Sequence, residues 1–209
     1  MRRGVVTAAR LHSDNIPRSY KPAMVTLTYR PGVEWRGSDI RDYLRRVRQF
    51  AADVGFVLRY VWVAELQKRG AVHYHVMVWL PNGVKLQKPD ESGWWAHGLS
   101  RIEWAKAPIR YLIKYASKLS SKGRELPKGL RLHGAGGLSS PERGVRRWWV
   151  APSFVRENWK EEVAVRRVSG EGVSFAGWCC EATGEVIRSP WVFLGFSGGS
   201  VVLARGQYA

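Results

Sequence analysis

Residues 56–67 and 71–80 are two β-periodic runs separated only by Lys68-Arg69-Gly70, and this spacing constrains the chain more than any other feature. The expected outcome is a strand, a tight turn whose glycine supplies the left-handed conformation, and an antiparallel partner. Side chains alternate across a strand, so His73 and His75 share one face while Val72, Tyr74, Val76 and Val78 line the other as core. A three-residue loop sets Glu65 directly across from His73, and opposed Cβ atoms are only ~4.5–5.5 Å apart. Glu65, His73 and His75 can then grip one divalent ion; Gln67, on the face of Glu65, can ligate it or hold a ligand from behind. Two imidazoles and a carboxylate with open positions suit Mn²⁺, with Mg²⁺ or Zn²⁺ accessible to the same donors. A bare His-x-His pair is more often two ordinary sheet histidines. The glutamate at the cross-strand position favours the metal.

A second cluster lies in residues 108–119, where Pro108 suits the first turn of a helix. Tyr111, Lys114, Tyr115 and Lys118 recur at i, i+3, i+4 and i+7 and so share one face, with Ile109, Leu112, Ile113 and Ala116 opposite as the anchoring stripe. A phenol with a pKa of about 10 is a weak nucleophile. Neighbouring ammonium groups or a metal-polarised phosphate help it attack, and lysine offers charge to a phosphoryl transition state. Alone, this pattern describes a basic amphipathic helix; beside a metal site on another element, it describes a nuclease.

The remaining chain reads as follows. Residues 1–22 show no sustained period and carry Arg2, Arg3, Arg10, Arg18 and Lys21, which predicts a mobile basic arm. Residues 23–29 alternate as a first strand. Ser38 or Asp39 can cap a helix through Ile40, Tyr43, Leu44, Val47, Phe50 and Ala51 that Gly55 stops. Residues 99–104 read as another strand and the glycine-rich residues 123–144 as an irregular connection. Order resumes at 146–150 and 154–159, and short strands follow from 163, with Thr183-Gly184 as a hairpin turn. Gly134-Ala135-Gly136-Gly137 lacks the lysine of a phosphate cradle, which argues against an ATP-driven motor. His97 is expected to make a structural hydrogen bond, and His12 and His133 to be packed or solvated.

Composition narrows the partners. A hydrophobic content of 45% with 24% charged residues describes a globular chain, and no apolar run of about 18 residues is present to span a bilayer. The net charge of +17 is the footprint of a polyanion binder, although charge alone leaves open an RNA binder or a solvated basic surface. Eleven tryptophans are enough to fill a core and still leave some to stack on unpaired bases. Cys179 and Cys180 are sequence neighbours and offer no disulfide framework; with no apolar signal segment, a cytoplasmic setting is expected.

Taken together, these residues resemble the histidine-hydrophobe-histidine (HUH) endonuclease superfamily. The resemblance is to the rolling-circle replication initiators (Rep) of bacterial plasmids and single-stranded DNA phages, filamentous ones included. Met24-Val-Thr26-Leu-Thr28-Tyr29 is similar to its first motif, Glu65 with His73-Tyr-His75 to its metal motif, and Tyr111-Leu-Ile-Lys114-Tyr115 to its nucleophile motif. The resemblance implies an α+β fold, a central antiparallel sheet flanked by helices. The endonuclease domain would span residues 23–160, after the basic arm of 1–22 and before a β-rich appendage of 161–209. It also implies a metal-polarised phosphate, in-line attack by a tyrosine, and a 5′-phosphotyrosine with a free 3′-hydroxyl that primes synthesis; the reverse reaction religates the strand. The spacing of Tyr111 and Tyr115 favours the form in which two tyrosines alternate. The implied partners are a single-stranded DNA origin, a host helicase and a host polymerase in a bacterial cytoplasm. Arg2, Arg3, Lys68, Arg69 and Arg110 are candidates for holding the DNA backbone. Transposases and relaxases share the chemistry, a small metal-dependent hydrolase would turn over without an adduct, and a non-catalytic single-strand binder would account for charge and tryptophan alone.

Overall fold

A computed structural model describes residues 1–67, 70–118, 126–159, 163–170, 173–197 and 200–205. Five strands form one antiparallel sheet: β1 (Tyr20–Tyr29), β2 (Arg59–Leu66), β3 (Val72–Pro81), β4 (Gly98–Trp104) and β5 (His133–Gly136), in the order β4-β1-β3-β2-β5. Three helices accompany them: α1 (Arg2–Asp14), α2 (Asp39–Val54) and α3 (Pro108–Lys118). The chain is thus α+β with helices flanking an antiparallel sheet. Glu65 stands opposite His73 in the β2–β3 register, as the hairpin spacing predicts, and Gly70 has a φ of +83° before β3 begins.

Strand alternation divides the apolar residues into two cores. On one face Ala23, Val25, Leu27, Tyr60, Trp62, Val72, Tyr74, Val76 and Val78 pack with Ile40, Tyr43, Leu44, Val47 and Ala51 of α2. That helical stripe repeats every three or four residues, and Gly55 (φ +91°) ends it, its N–H donating to the Ala51 and Ala52 carbonyls. On the other face Met24, Val61, Val63, Met77 and Trp79 pack with Val5, Ala8 and Ala9 of α1 and Leu112 and Ala116 of α3.

Two sequence expectations are corrected here. Residues 1–22 are not a mobile arm: α1 occupies most of them, and Val5, Ala8, Ala9 and His12 are wholly buried. Their i, i+3, i+4, i+7 spacing is a helical stripe, but two alanines and a histidine give little hydrophobic contrast among arginines. Nor is the whole of 123–144 an irregular connection, since β5 adds an edge to the main sheet within it and a helix begins at Ser140. Tyr60 and Trp62 explain the glycines of β5. A Cβ at Gly136 would run into the Tyr60 ring and one at Gly134 into the Trp62 indole, so these aromatics lie across the bare strand.

The chain divides into two compact units, Met1–Ser139 and Ser140–Ala209. In the second, α4 (Ser140–Val150) and α5 (Ser153–Asn158) precede β6 (Val165–Gly170), β7 (Val173–Cys180) and β8 (Val186–Ile187), which form a sheet in the order β6-β7-β8. β9 (Trp191–Ser197) pairs with β10 (Ser200–Arg205). Trp148, Val155, Trp159, Val165 and Trp178 make one core, so both helices belong with the β-rich tail, and the division falls at 139 rather than at 160. Gly184 (φ +73°) turns the chain between β7 and β8, and Cys179 and Cys180 are buried free thiols. No helix among the described residues is long and apolar enough to cross a membrane.

Candidate active site

The three central strands bring two rows of side chains onto the face that α1 and α3 partly cover. In one row Thr28, His73 and Glu65 are successive cross-strand neighbours; in the next, Thr26, His75 and Val63. The two imidazoles have ring centroids 4.7 Å apart, tilted by 57°. Behind them the threonine hydroxyls sit at the Nδ1 positions: Thr28 Oγ1 is 3.0 Å from His73 Nδ1, and Thr26 Oγ1 is 3.3 Å from His75 Nδ1. The Gln67 side-chain amide also reaches His73 Nδ1, at 3.1 Å.

Glu65 faces His73 in the backbone register, yet its carboxylate reaches diagonally to His75, with Oε2 3.2 Å from Nε2. His75 is almost buried, its side chain 5% exposed against 17% for Glu65. A proton on His75 Nδ1, donated to Thr26, leaves an Nε2 lone pair facing a carboxylate oxygen. Two acceptors so placed require a cation or a second proton between them, and a histidine held at one nitrogen by a hydroxyl is oriented for ligation through the other. The donor set therefore fits a divalent ion: Glu65 and His75 are already within the separation of two ligands of one ion, with His73 beside them. Among the described residues, no three His, Cys, Asp or Glu side chains are gathered into a finished cage. His73 is held by Thr28 and Gln67, so completing the ligand set requires rotation of its ring.

α3 brings a phenol to this pair. The Tyr115 ring stacks on His75 with centroids 3.4 Å apart and planes 12° from parallel. Lys114 Nζ lies 5.8 Å from the Tyr115 ring centroid. Leu112 and Ala116 anchor the helix beneath, and Tyr111, one turn earlier, is 42% exposed. The structure thus unites Glu65, His73, His75, Gln67 and Tyr115, with Tyr111 and Lys114 on the solvent side of the same helix. Lys118 ends α3, and its side chain lies outside the described residues, as do Lys68 and Arg69. Arg2 and Arg3 are exposed at the start of α1, and Arg110 is exposed on α3, which packs against α1.

The remaining histidines separate. His97 lies on the α2 side of the sheet, its Nε2 3.7 Å from Asp39 Oδ1 and its ring against Tyr29 and Trp95, a structural position. His12 is buried against Trp79, its Nδ1 3.3 Å from an Arg59 guanidinium nitrogen. His133 is the residue that sequence reasoning misses: β5 sets it opposite Val63, whose other neighbour is His75, so it extends the His75 row. Thr26 and Thr28 are legible as a motif but not as the groups behind the imidazoles. The available signal is the period of two, which puts both threonines on one face.

Burial also sorts the phenols. Tyr29, Tyr43 and Tyr74 are driven above the ordinary tyrosine range by burial, Tyr74 to about 12, which leaves them neutral parts of the core.

No curated protein matches the chain at a significant level. The crystal structure of hypothetical protein ORF119 from Sulfolobus islandicus rod-shaped virus 1 is similar over 58% of this chain and 96% of its own, at 19% identity and a TM-score of 0.31. Residues 22–120, the stretch that carries every element of the site, match the family of replication-associated proteins typified by ORF2.

Proposed function

We propose that this chain is a replication initiator that nicks single-stranded origin DNA and remains joined to the 5′ end through a tyrosine. The observation that carries the reading is the Tyr115 ring lying on His75, whose Nε2 faces the Glu65 carboxylate. It brings a phenol from a later helix to a histidine-carboxylate pair that the sheet holds in place. The family match over residues 22–120 supports the replication role.

Glu65, His73 and His75 would hold one divalent ion, Mn²⁺ or Mg²⁺, with Gln67 supporting His73. When bound, such an ion supplies Lewis-acid polarisation of the scissile phosphate. The chain's own part is nucleophile, orientation and charge. The Tyr115 oxygen attacks phosphorus, the bond from phosphorus to the 3′-oxygen breaks, the phenol loses its proton, and the departing oxygen gains one. Lys114 adds positive charge beside the phosphate. Because one phosphodiester replaces another, attack by an incoming 3′-hydroxyl reverses the step, and Tyr111 is placed as the alternate phenol. Unwinding and extension fall to a host helicase and polymerase.

The test is a denaturing gel of the protein incubated with a labelled single-stranded origin oligonucleotide and Mn²⁺. The expected result is a label-bearing protein band that disappears with chelator, in His75→Ala, and in the variant carrying both Tyr111→Phe and Tyr115→Phe. A band that persists in the double Phe variant would assign the attack to another residue.

A further inference from the structure

At the far end of the sheet from the histidines, Lys21, Pro81, Asn82, Gly83, Val84, Lys85 and Trp104 line a notch of about 370 Å³. Three strand ends make it. Pro81 closes β3, Lys21 pairs with Leu80 from β1, and Trp104 ends β4, the sheet's outer strand. Gly83 (φ +86°) turns the chain back so that Lys85 returns to the notch. The Trp104 indole, pairing in register with Ala23, is 54% exposed at its mouth. Most other tryptophans of this unit fill its cores, so this one is not consumed by packing. No acidic partner among the described residues engages Lys21 or Lys85, and the nearby Glu103 is held by Arg101 at 2.8 Å.

A flat, solvent-facing indole between two unpaired ammonium groups has the chemistry of a nucleotide in a single strand, whose base offers a π-face and whose phosphates offer charge. The volume lies within the roughly 300–1,000 Å³ of small-ligand sites. We infer that the notch is a subsite for one unpaired nucleotide, its base against Trp104 and its phosphates between Lys21 and Lys85. This rests on the reading of the chain as a single-strand DNA enzyme, and it adds a second grip on that strand. Six residues of β3 separate His75 from Pro81, about 20 Å at ~3.4 Å per residue, so the gripped nucleotide lies several positions from the scissile phosphate.

The probe is a labelled oligothymidylate long enough to span that distance, titrated by fluorescence anisotropy in chelator so that only binding is read. Trp104→Ala should raise Kd roughly 5- to 150-fold, with Trp104→Phe between it and the native chain. Changing Lys21 and Lys85 together to Gln should lower the salt slope by about 1.4, near 0.7 per neutralised contact on a single strand. On an abasic strand of equal length the Trp104→Ala effect should vanish. An unchanged Kd in Trp104→Ala, or an equal loss on the abasic strand, would overturn the assignment. Since no cleavage enters the assay, the tyrosine chemistry can fail while the Trp104 dependence stands, and the reverse.

Discussion

The two faces of the central sheet are made by alternate residues of the same strands, yet one is a dry aromatic core and the other carries the candidate chemistry. Tyr74 sits between His73 and His75 in sequence, fully buried, its hydroxyl accepting a 2.6 Å hydrogen bond from Trp35 Nε1. Tyr29 behaves alike, donating to the buried Asp39 carboxylate at 2.7 Å. One residue along β3 from Tyr74 in either direction, the side chains are imidazoles meeting hydroxyls and a carboxylate. The comparison teaches that each position of the site is fixed from behind. An alternating strand cannot slip by one residue without moving its histidines into the core and its aromatics into water, so the dry face locks the register of the polar one.

Breaking the dry face should have the largest effect. Tyr74→Ala removes a buried ring that touches Tyr29, Trp62 and Trp95, and should cost about 3–5 kcal/mol in urea unfolding. A loss under about 1 kcal/mol would show that the face is not what holds the hairpin.

Thr28→Val sharpens the comparison from the other side. It keeps side-chain volume but removes the oxygen at His73 Nδ1, and metal affinity read by calorimetry should fall ~10–100-fold, as for other groups that orient a ligand. The unfolding midpoint should move far less than in Tyr74→Ala. If metal affinity is unchanged, the hydroxyl does not position the imidazole.

Gly134→Ala tests the edge, where a Cβ would meet the Trp62 indole. Overpacking of this kind should cost about 1–3 kcal/mol. A neutral outcome would mean that Trp62 can swing aside without cost to β5. Smallest should be the combined Arg2→Ala and Arg3→Ala change, which leaves the α1 core untouched and lowers the salt slope for single-strand binding by about 1.4. No change in slope would take both arginines out of the DNA path.

What the sequence disclosed follows the strength of its periodic signals. The hairpin was legible because both strands alternate and Gly70 can take a positive φ, and from it came the opposition of Glu65 and His73. The faces of α3 were legible because Leu112 and Ala116 contrast with tyrosines and lysines. The diagonal reach of Glu65 to His75 was not, since register fixes Cβ positions and not where a longer side chain ends. α1 was hidden because alanine and histidine mark its buried stripe, and β5 because His133–Gly136 contains no β-branched residue and depends on aromatics from the strand beside it.

The most direct measurement of the central claim is peptide mapping of the protein by mass spectrometry after reaction with origin DNA and Mn²⁺ and nuclease trimming. The account predicts a nucleotide phosphate remnant on the α3 peptide, localised to Tyr115 in the first nicking event and lost in Tyr115→Phe. A remnant on any residue outside α3, or none from DNA that has been cut, would contradict it.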